Sequence, residues 1–340
     1  MKGPRRLRRC PPGAAAGAHA GRGRRARPPR GGTIGDRLLP TPMNRRRPRL
    51  APATLSEADG VRYLHLGTPW VQGALRLRKP DAIELEYVQR MLAALLLRPE
   101  AADPAAEAWA EVRAVQLGLG AATLTRFCHG LGMPTTAVEI NPSVIQAGRL
   151  WFRLPPDGPR LQVIEADAAA HVADARQAAS ADLLCVDLYD HEAASPVLDS
   201  PAFYRDCARL LAPGGVMAVN LFGRDAAFEH SAARIAAAFA GQPVRTLRPT
   251  REGNTIVVAV RLPAWPEAAV LAARAEALEA RTGLPARKWL RMWRQAPGAA
   301  AGEAAAAPAS PAPANARRRK PAEVDDDAGS LRPARSGPAA

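Results

Sequence analysis

Val115-Gln-Leu-Gly118-Leu-Gly120-Ala-Ala-Thr123 is an apolar strand that runs directly into a glycine-containing turn and then into a helical pattern. Glycines at these positions let the backbone approach a ligand closely and turn toward the N-terminus of the following helix. The segment therefore predicts a strand–turn–helix unit that binds a ligand, with Gly118 and Gly120 in the binding loop.

Apolar segments of strand length recur on both sides of this unit, mostly separated by Ala-rich helical stretches. They are Ala114–Leu117, Thr136–Ile140, Leu161–Glu165, Leu183–Val186, Val216–Leu221, Val244–Leu247 and Thr255–Val260. Strands that alternate with helices predict an α/β fold, here a mostly parallel, doubly wound sheet of seven strands. The last two strands lack a helix-length gap, so we expect them to form an antiparallel pair. Terminal helices are predicted at Pro266–Arg281 and Arg287–Arg294.

A smaller unit is predicted before the sheet. Residues Val61–Gly67 and Val71–Leu77 alternate in polarity around a Gly-Thr-Pro turn, which indicates a β-hairpin. Ile83–Leu97 has the apolar spacing of an amphipathic helix. Asp103–Glu111 has the composition of a linker. The predicted hairpin and helix span 56–98, and the sheet domain spans 99–296.

The positive charge is confined to the start of the chain. The 340 residues carry a formal net charge of +15, of which residues 1–50 contribute +14, with 15 basic side chains and one acid. Residues 51–296 hold 26 bases and 26 acids, which excludes a basic nucleic-acid-binding surface over the whole folded part. Segments 1–55 and 297–340 are predicted to be disordered, Arg/Pro-rich and Ala/Pro-rich respectively.

Several readings of the N-terminal segment stay open. It could be a solvated tail, translated sequence upstream of a start at Met43, a transit peptide, or an arm that makes non-specific contact with RNA or a membrane. No apolar run reaches the about 18 residues that span a bilayer. Four cysteines, at positions 10, 128, 185 and 207, lack metal-ligand spacing and predict reduced thiols. We expect a cytoplasmic protein without a metal site.

Acidic residues follow three successive predicted strands. Glu139 lies 21 residues after Gly118, and Asp167 and Asp187 end the next two strands. The carboxyl ends of parallel strands form one crevice, where an acid can bind the hydroxyls of a ribose. The loop has Thr123 in place of a third glycine and has no Lys-Ser/Thr pair, so a nucleoside without phosphates fits better than a dinucleotide or ATP. A cationic sulfonium nucleoside, S-adenosylmethionine or its decarboxylated form, suits these acids.

A second group of motifs surrounds Asp187. Asp187 and Asp190 lie three residues apart at the end of a buried strand, and Phe203-Tyr204 precedes the segment Leu211-Ala-Pro-Gly-Gly215. With Gln72 in the hairpin and Tyr87 in the first helix, these motifs resemble the spermidine/spermine synthase family of polyamine aminopropyltransferases. The resemblance covers roughly residues 61–260 and implies a class I methyltransferase-like fold.

The resemblance also implies a reaction and a set of roles. Decarboxylated S-adenosylmethionine would be the co-substrate, with no tightly bound cofactor, and a small amine such as putrescine would accept the aminopropyl group. Asp187 would be the catalytic base, and Asp190, Tyr204, Tyr87 and Gln72 would bind the amine substrate. Gly118, Gly120, Glu139 and Asp167 would bind the nucleoside. A homodimer is compatible with this family.

The chain departs from the family pattern at the glycine loop. Ala121 stands where the family has an acid that disfavours a substrate retaining its carboxylate, so intact S-adenosylmethionine could enter. Val88 and His191 also replace family residues. The alternatives are therefore a methyltransferase of the same fold and a non-catalytic nucleoside-binding or RNA-associated protein.

Overall fold

A computed structural model describes residues 50–188, 197, 200–222 and 226–299. The described part of the chain begins with a small antiparallel sheet of three strands in the order β1-β2-β3. The strands are β1 (Ala53–Ala58), β2 (Val61–Leu66) and β3 (Gly73–Arg76). The predicted hairpin corresponds to β2 and β3. Strand β1 begins inside the segment 1–55 predicted as a tail. No apolar pattern marks this strand, because five of its six residues are exposed.

Within the described residues, the main sheet contains eight strands in the order β11-β9-β10-β8-β7-β4-β5-β6. They are β4 (Ala114–Leu117), β5 (Thr135–Glu139), β6 (Leu161–Glu165), β7 (Ala181–Val186), β8 (Leu211–Phe222), β9 (Val244–Leu247), β10 (Asn254–Val260) and β11 (Trp293–Gln295). Strands β4 to β8 are parallel, and β9, β10 and β11 are antiparallel to their neighbours. The mostly parallel α/β sheet and the antiparallel pair β9–β10 are confirmed. Seven strands were predicted for this sheet, and the described residues form eight in it, because the short strand β11 pairs with β9.

Helices connect the strands on both faces of the sheet. They are α1 (Glu86–Met91), α2 (Thr123–Gly130), α3 (Pro142–Trp151), α4 (Ala168–Ala173), α5 (Pro201–Leu210), α6 (Ala226–Ala238), α7 (Ala268–Thr282) and α8 (Ala286–Trp289). Short 3₁₀ helices cover Leu92–Leu97, Pro99–Ala102 and Ala175–Gln177. Side chains of Asn141, Asp167 and Ser200 cap the N-termini of α3, α4 and α5, which is the preferred chemistry at those positions.

Three segments differ from the sequence prediction. The predicted amphipathic helix Ile83–Leu97 is α1 followed by a 3₁₀ segment whose six residues are all buried, so apolar contacts surround it rather than one stripe. The predicted helix Arg287–Arg294 ends at Trp289, and Trp293 instead opens β11 against β9. In the predicted linker Asp103–Glu111, Trp109 is fully buried.

The core lies on both faces of the main sheet because side chains alternate along each strand. In β7, Leu183 and Cys185 belong to the cluster on one face, whereas Leu184 and Val186 belong to the cluster on the other. A third cluster joins Leu64 and Leu75 of the small sheet to the glycine loop and α3. This double coverage is the packing that a doubly wound sheet requires.

The described cysteines, Cys128, Cys185 and Cys207, are buried free thiols, and burial raises the pKa of Cys128 to about 12. Cys10 lies outside the described residues. Within the described ranges, no helix has the length and apolar character needed to cross a membrane.

Candidate active site

The glycine loop and Asp187 are in direct backbone contact. The Asp187 amide donates to the Leu117 carbonyl (2.9 Å), and the Gly118 amide donates to the Val138 carbonyl (2.8 Å). Gly118 has φ +86°, and a Cβ added there would lie 2.1 Å from the Asp187 carbonyl oxygen. Only glycine fits at position 118, so the turn is pressed against the strand end that carries the predicted base.

Glu139 is fixed at the end of β5 by backbone donors. Its Oε2 accepts a hydrogen bond from the Leu119 amide (2.9 Å), and its Oε1 accepts one from the Asn141 amide (2.8 Å). Burial raises the pKa of Glu139, and the backbone hydrogen bonds partly oppose that shift. The carboxylate is therefore tied to the glycine loop itself, in a position suited to hydroxyl groups of a ribose.

Asp167, predicted to bind the nucleoside, has a structural partner. Its Oδ1 accepts a hydrogen bond from the Ala170 amide (2.9 Å) as the N-cap of α4, and the residue is exposed. Asp167 follows β6, and β5 lies between β6 and β4, the strand that leads into the glycine loop. The cap explains the aspartate on its own, and nucleoside binding by Asp167 stays a prediction.

Asp187 is held by two side-chain donors at the end of β7. Its Oδ1 accepts from Asn220 Nδ2 (2.8 Å), and its Oδ2 accepts from the Tyr87 hydroxyl (3.1 Å). Burial raises the pKa of Asp187, while the hydrogen bonds from Asn220 and Tyr87 lower it in part. The result is an oriented carboxylate whose surroundings favour uptake of a proton.

Sequence reasoning missed the residues behind Asp187. Asn220 lies in β8 and is only 2% exposed, and its Oδ1 accepts a hydrogen bond from Asn254 Nδ2 (3.1 Å). The backbone amide of Asn254 in turn donates to Thr250 Oγ1 (3.2 Å). The only sequence signal for Asn220 was a polar residue within an otherwise apolar strand. Asn254 carried no signal, because the antiparallel pairing of β10 with β8 brings it there.

The start of β3 lies over the glycine loop. A Cβ added at Gly73 would lie 2.5 Å from the Ala121 Cβ, and one at Gly120 would lie 3.0 Å from the Gln72 carbonyl oxygen. The Gln72 amide donates to the Leu64 carbonyl (2.8 Å), which anchors it to β2. The small sheet therefore covers the loop at a contact between two small residues, Gly73 and Ala121. Ala121 is only 3% exposed beneath it.

Two other residues, Tyr204 and Asp190, were predicted to bind the amine. Tyr204 on α5 is fully buried, and its ring makes an edge-on contact with Phe203 at a centroid distance of 5.5 Å. Asp190, like His191, lies outside the described residues. Their binding of the amine stays a prediction. Of the predicted residues, Gln72, Tyr87, Gly118, Gly120, Glu139 and Asp187 come together around the glycine loop.

Comparison with known proteins finds relatives of this chain. No family model matches the chain. A polyamine aminopropyltransferase of Chromobacterium violaceum is 32% identical over 234 residues, which cover 68% of this chain and 84% of the relative. One of Neisseria meningitidis serogroup A is 31% identical over 207 residues, which cover 60% of this chain and 74% of the relative.

The fold is also shared with a solved structure. A crystal structure of a probable spermidine synthase from Corynebacterium glutamicum matches with a TM-score of 0.55 and 21% identity, over 70% of this chain and 90% of that one. This likeness shows the mostly parallel α/β fold, and the sequence identity to the relatives above shows the family. The chain belongs to the polyamine aminopropyltransferase family.

Proposed function

We propose that this aminopropyltransferase moves the aminopropyl group of decarboxylated S-adenosylmethionine to a small primary amine such as putrescine. The observation that carries the proposal is Asp187, whose carboxylate is held by Asn220 and Tyr87 and whose backbone carbonyl lies against Gly118 of the glycine loop. One strand end thus supports both the predicted base and the predicted nucleoside loop.

The reaction needs little beyond alignment and the removal of a proton. The amine nitrogen attacks the methylene carbon next to the sulfonium sulfur, and a carbon–nitrogen bond forms as the carbon–sulfur bond breaks. The bonding electron pair stays on sulfur, which leaves as a neutral thioether nucleoside. The nitrogen loses one proton. Because the sulfonium is already an activated leaving group, orientation and base catalysis are the contributions left to the protein.

Asp187 has the properties that this proton transfer requires. A primary amine has a pKa of about 10.4 in water and arrives mostly protonated, so a carboxylate first attracts it. Burial raises the pKa of Asp187 toward the range where a carboxylate is an effective proton acceptor. The donors Asn220 and Tyr87 fix the direction in which its oxygens point.

The nucleoside would lie against the glycine loop. Glu139 is the acid at the end of β5, and its hydrogen bond to the Leu119 amide links it to that loop. In this proposal the Glu139 oxygens accept hydrogen bonds from the ribose hydroxyls. The covering of the loop by Gln72 and Gly73 favours a closed, water-poor setting for the sulfonium, in which charge interactions are stronger.

Ala121 is the observation that favours a second candidate, methyl transfer from intact S-adenosylmethionine. A buried alanine contributes no charge to repel the carboxylate that the intact compound retains. Family membership places aminopropyl transfer first, and the nature of the co-substrate is what an experiment must decide.

Calorimetric titration with decarboxylated and intact S-adenosylmethionine tests the choice. We expect tighter binding of the decarboxylated compound and, with putrescine or cadaverine added, a product one aminopropyl group longer together with the thioether nucleoside. Mass spectrometry identifies both products. Preference for the intact compound with a methylated acceptor would establish the second candidate, and binding of neither would reject both.

A further inference from the structure

A basic groove lies apart from the residues assigned to the candidate active site. Its volume is about 680 Å³, and its walls come from α1, the turn after β9, the end of α7, and α8 with the residues that follow it. The charged residues that line it are Arg90, Arg248, Glu279, Arg287, Lys288 and Arg291. This volume falls within the range of small-molecule sites.

The groove has three bases beyond those that are ion-paired among the described residues, since Arg90 pairs with Glu86 and Arg287 with Glu279. Five of its lining residues are basic and one is acidic. The acid, Glu279, is paired with Arg287 (2.6 Å), so it neutralises a base already in the wall. Arg248, Lys288 and Arg291 are exposed. The excess is local, because residues 51–296 as a whole carry equal numbers of bases and acids.

Arg90 contributes a buried guanidinium to the wall of the groove and is paired with Glu86. It is 7% exposed, and its guanidinium donates to the Arg248 carbonyl and to Glu86 Oε1 (2.7 Å). Its Nε is buried without a hydrogen-bond partner among the described residues. A buried guanidinium donor without a partner costs free energy that an anionic ligand in the groove would offset in part.

We propose that this groove binds a small molecule that carries two or more adjacent phosphate groups. Arginine forks and a lysine ammonium are the side chains that bind phosphate oxygens most strongly. The groove repels cations, so neither the amine substrate nor a sulfonium nucleoside is its ligand. A compact groove favours a small ligand over RNA, whose backbone needs an extended basic track.

Titration of the full-length protein with sodium tripolyphosphate, followed by calorimetry, tests the assignment. The test variant is Lys288→Ala with Arg291→Ala, which removes two exposed cations from the groove. The matched control is Arg78→Ala with Lys79→Ala, which removes one exposed arginine and one exposed lysine outside it. All proteins retain the same basic N-terminal segment, so its contribution cancels in the comparison. Thermal melting verifies that each variant is folded.

We expect saturable binding of one tripolyphosphate that the groove variant weakens by about tenfold or more, since it loses two charged hydrogen-bond donors. The control variant should stay within about twofold, the range of a lost surface charge. Equal weakening in both variants would assign the binding to overall charge and overturn the proposal, as would absence of saturable binding. Groove-dependent binding of a single-stranded RNA oligonucleotide without binding of tripolyphosphate would overturn it as well.

Discussion

Asp187 combines burial, which raises its pKa, with two neutral donors that orient it. Replacing it by asparagine preserves the size of the side chain and removes the proton acceptor. We expect Asp187→Asn to slow the chemical step by about 10²–10⁴-fold, the usual contribution of a general base. Nucleoside affinity should stay within a few-fold, because Gly118 meets the backbone of residue 187 and not its side chain.

Single-turnover kinetics measure the rate of the chemical step, and a separate titration measures nucleoside affinity. Full turnover of Asp187→Asn with the best amine would show that Asp187 is not the base. The nucleophile would then be one that reacts without a base.

The Tyr87 hydroxyl predicts a shift in pH dependence. Its hydrogen bond to Asp187 Oδ2 lowers the pKa of that carboxyl, so Tyr87→Phe should raise that pKa further. A base with a higher pKa becomes protonated at higher pH, so the acid limb of the kcat profile should move to higher pH. Tyr63→Phe on β2 is the control and should leave the profile unchanged. A shift to lower pH would contradict the proposed hydrogen-bond role.

The sequence reveals some of these residues and not others. Asp187 and Tyr87 were predicted because short motifs carry them and family resemblance names their roles. Asn254 reaches the site only through the register that pairs it with Phe222 across β10 and β8, so no local pattern predicts it. Tyr204 has the expected motif position, yet its ring is packed in the core.

In the strand–turn–helix element, two glycines allow the cost of a left-handed backbone to be measured apart from the cost of a steric collision. Gly118 (φ +86°) and Gly132 (φ +88°) have nearly the same φ, but a Cβ at Gly132 would meet nothing within 4 Å. Gly132→Ala should cost only the left-handed strain, about 1–2 kcal/mol. Gly118→Ala should cost more and weaken nucleoside binding, because the loop must move away from the Asp187 carbonyl.

Chemical denaturation and nucleoside titration of both variants provide the measurement. Equal losses of stability with unchanged nucleoside affinity would show that the contact between residues 118 and 187 has no role in assembling the site.

Element boundaries show where local patterns lose their predictive power. The segment Ile83–Leu97 has helical spacing, but its second half packs on all sides and tightens into a 3₁₀ helix. Strand β11 has only three residues and exists through its pairing with β9. Its Trp293 contacts Trp265 edge-on, at 4.9 Å between ring centroids, and this long-range packing overrides the helical pattern of 287–294.

For the whole molecule, the charge distribution predicts the effect of removing the N-terminal segment. A chain that starts at Met43 loses most of the +14 charge of residues 1–50. We expect its melting temperature and nucleoside affinity to match the full chain, since the removed part has few large apolar residues. Non-specific RNA binding should fall sharply, together with its steep salt dependence.

Filter binding at several salt concentrations, alongside thermal melting, checks this expectation. A large drop in melting temperature would show that the N-terminal segment packs against the folded part. Retained RNA binding would show that residues after position 42 bind RNA.

The contact between Gly118 and Asp187 has a thermodynamic consequence for how the two substrates bind. Under the proposed function, a nucleoside that ordered the glycine loop would also restrain the backbone of Asp187, the proposed base, so each substrate would reduce the ordering cost of the other. Such coupling is reciprocal: the factor by which the nucleoside tightens amine binding equals the factor by which the amine tightens nucleoside binding. We therefore expect positive cooperativity between the two substrates, which titration of the amine with and without bound nucleoside would measure.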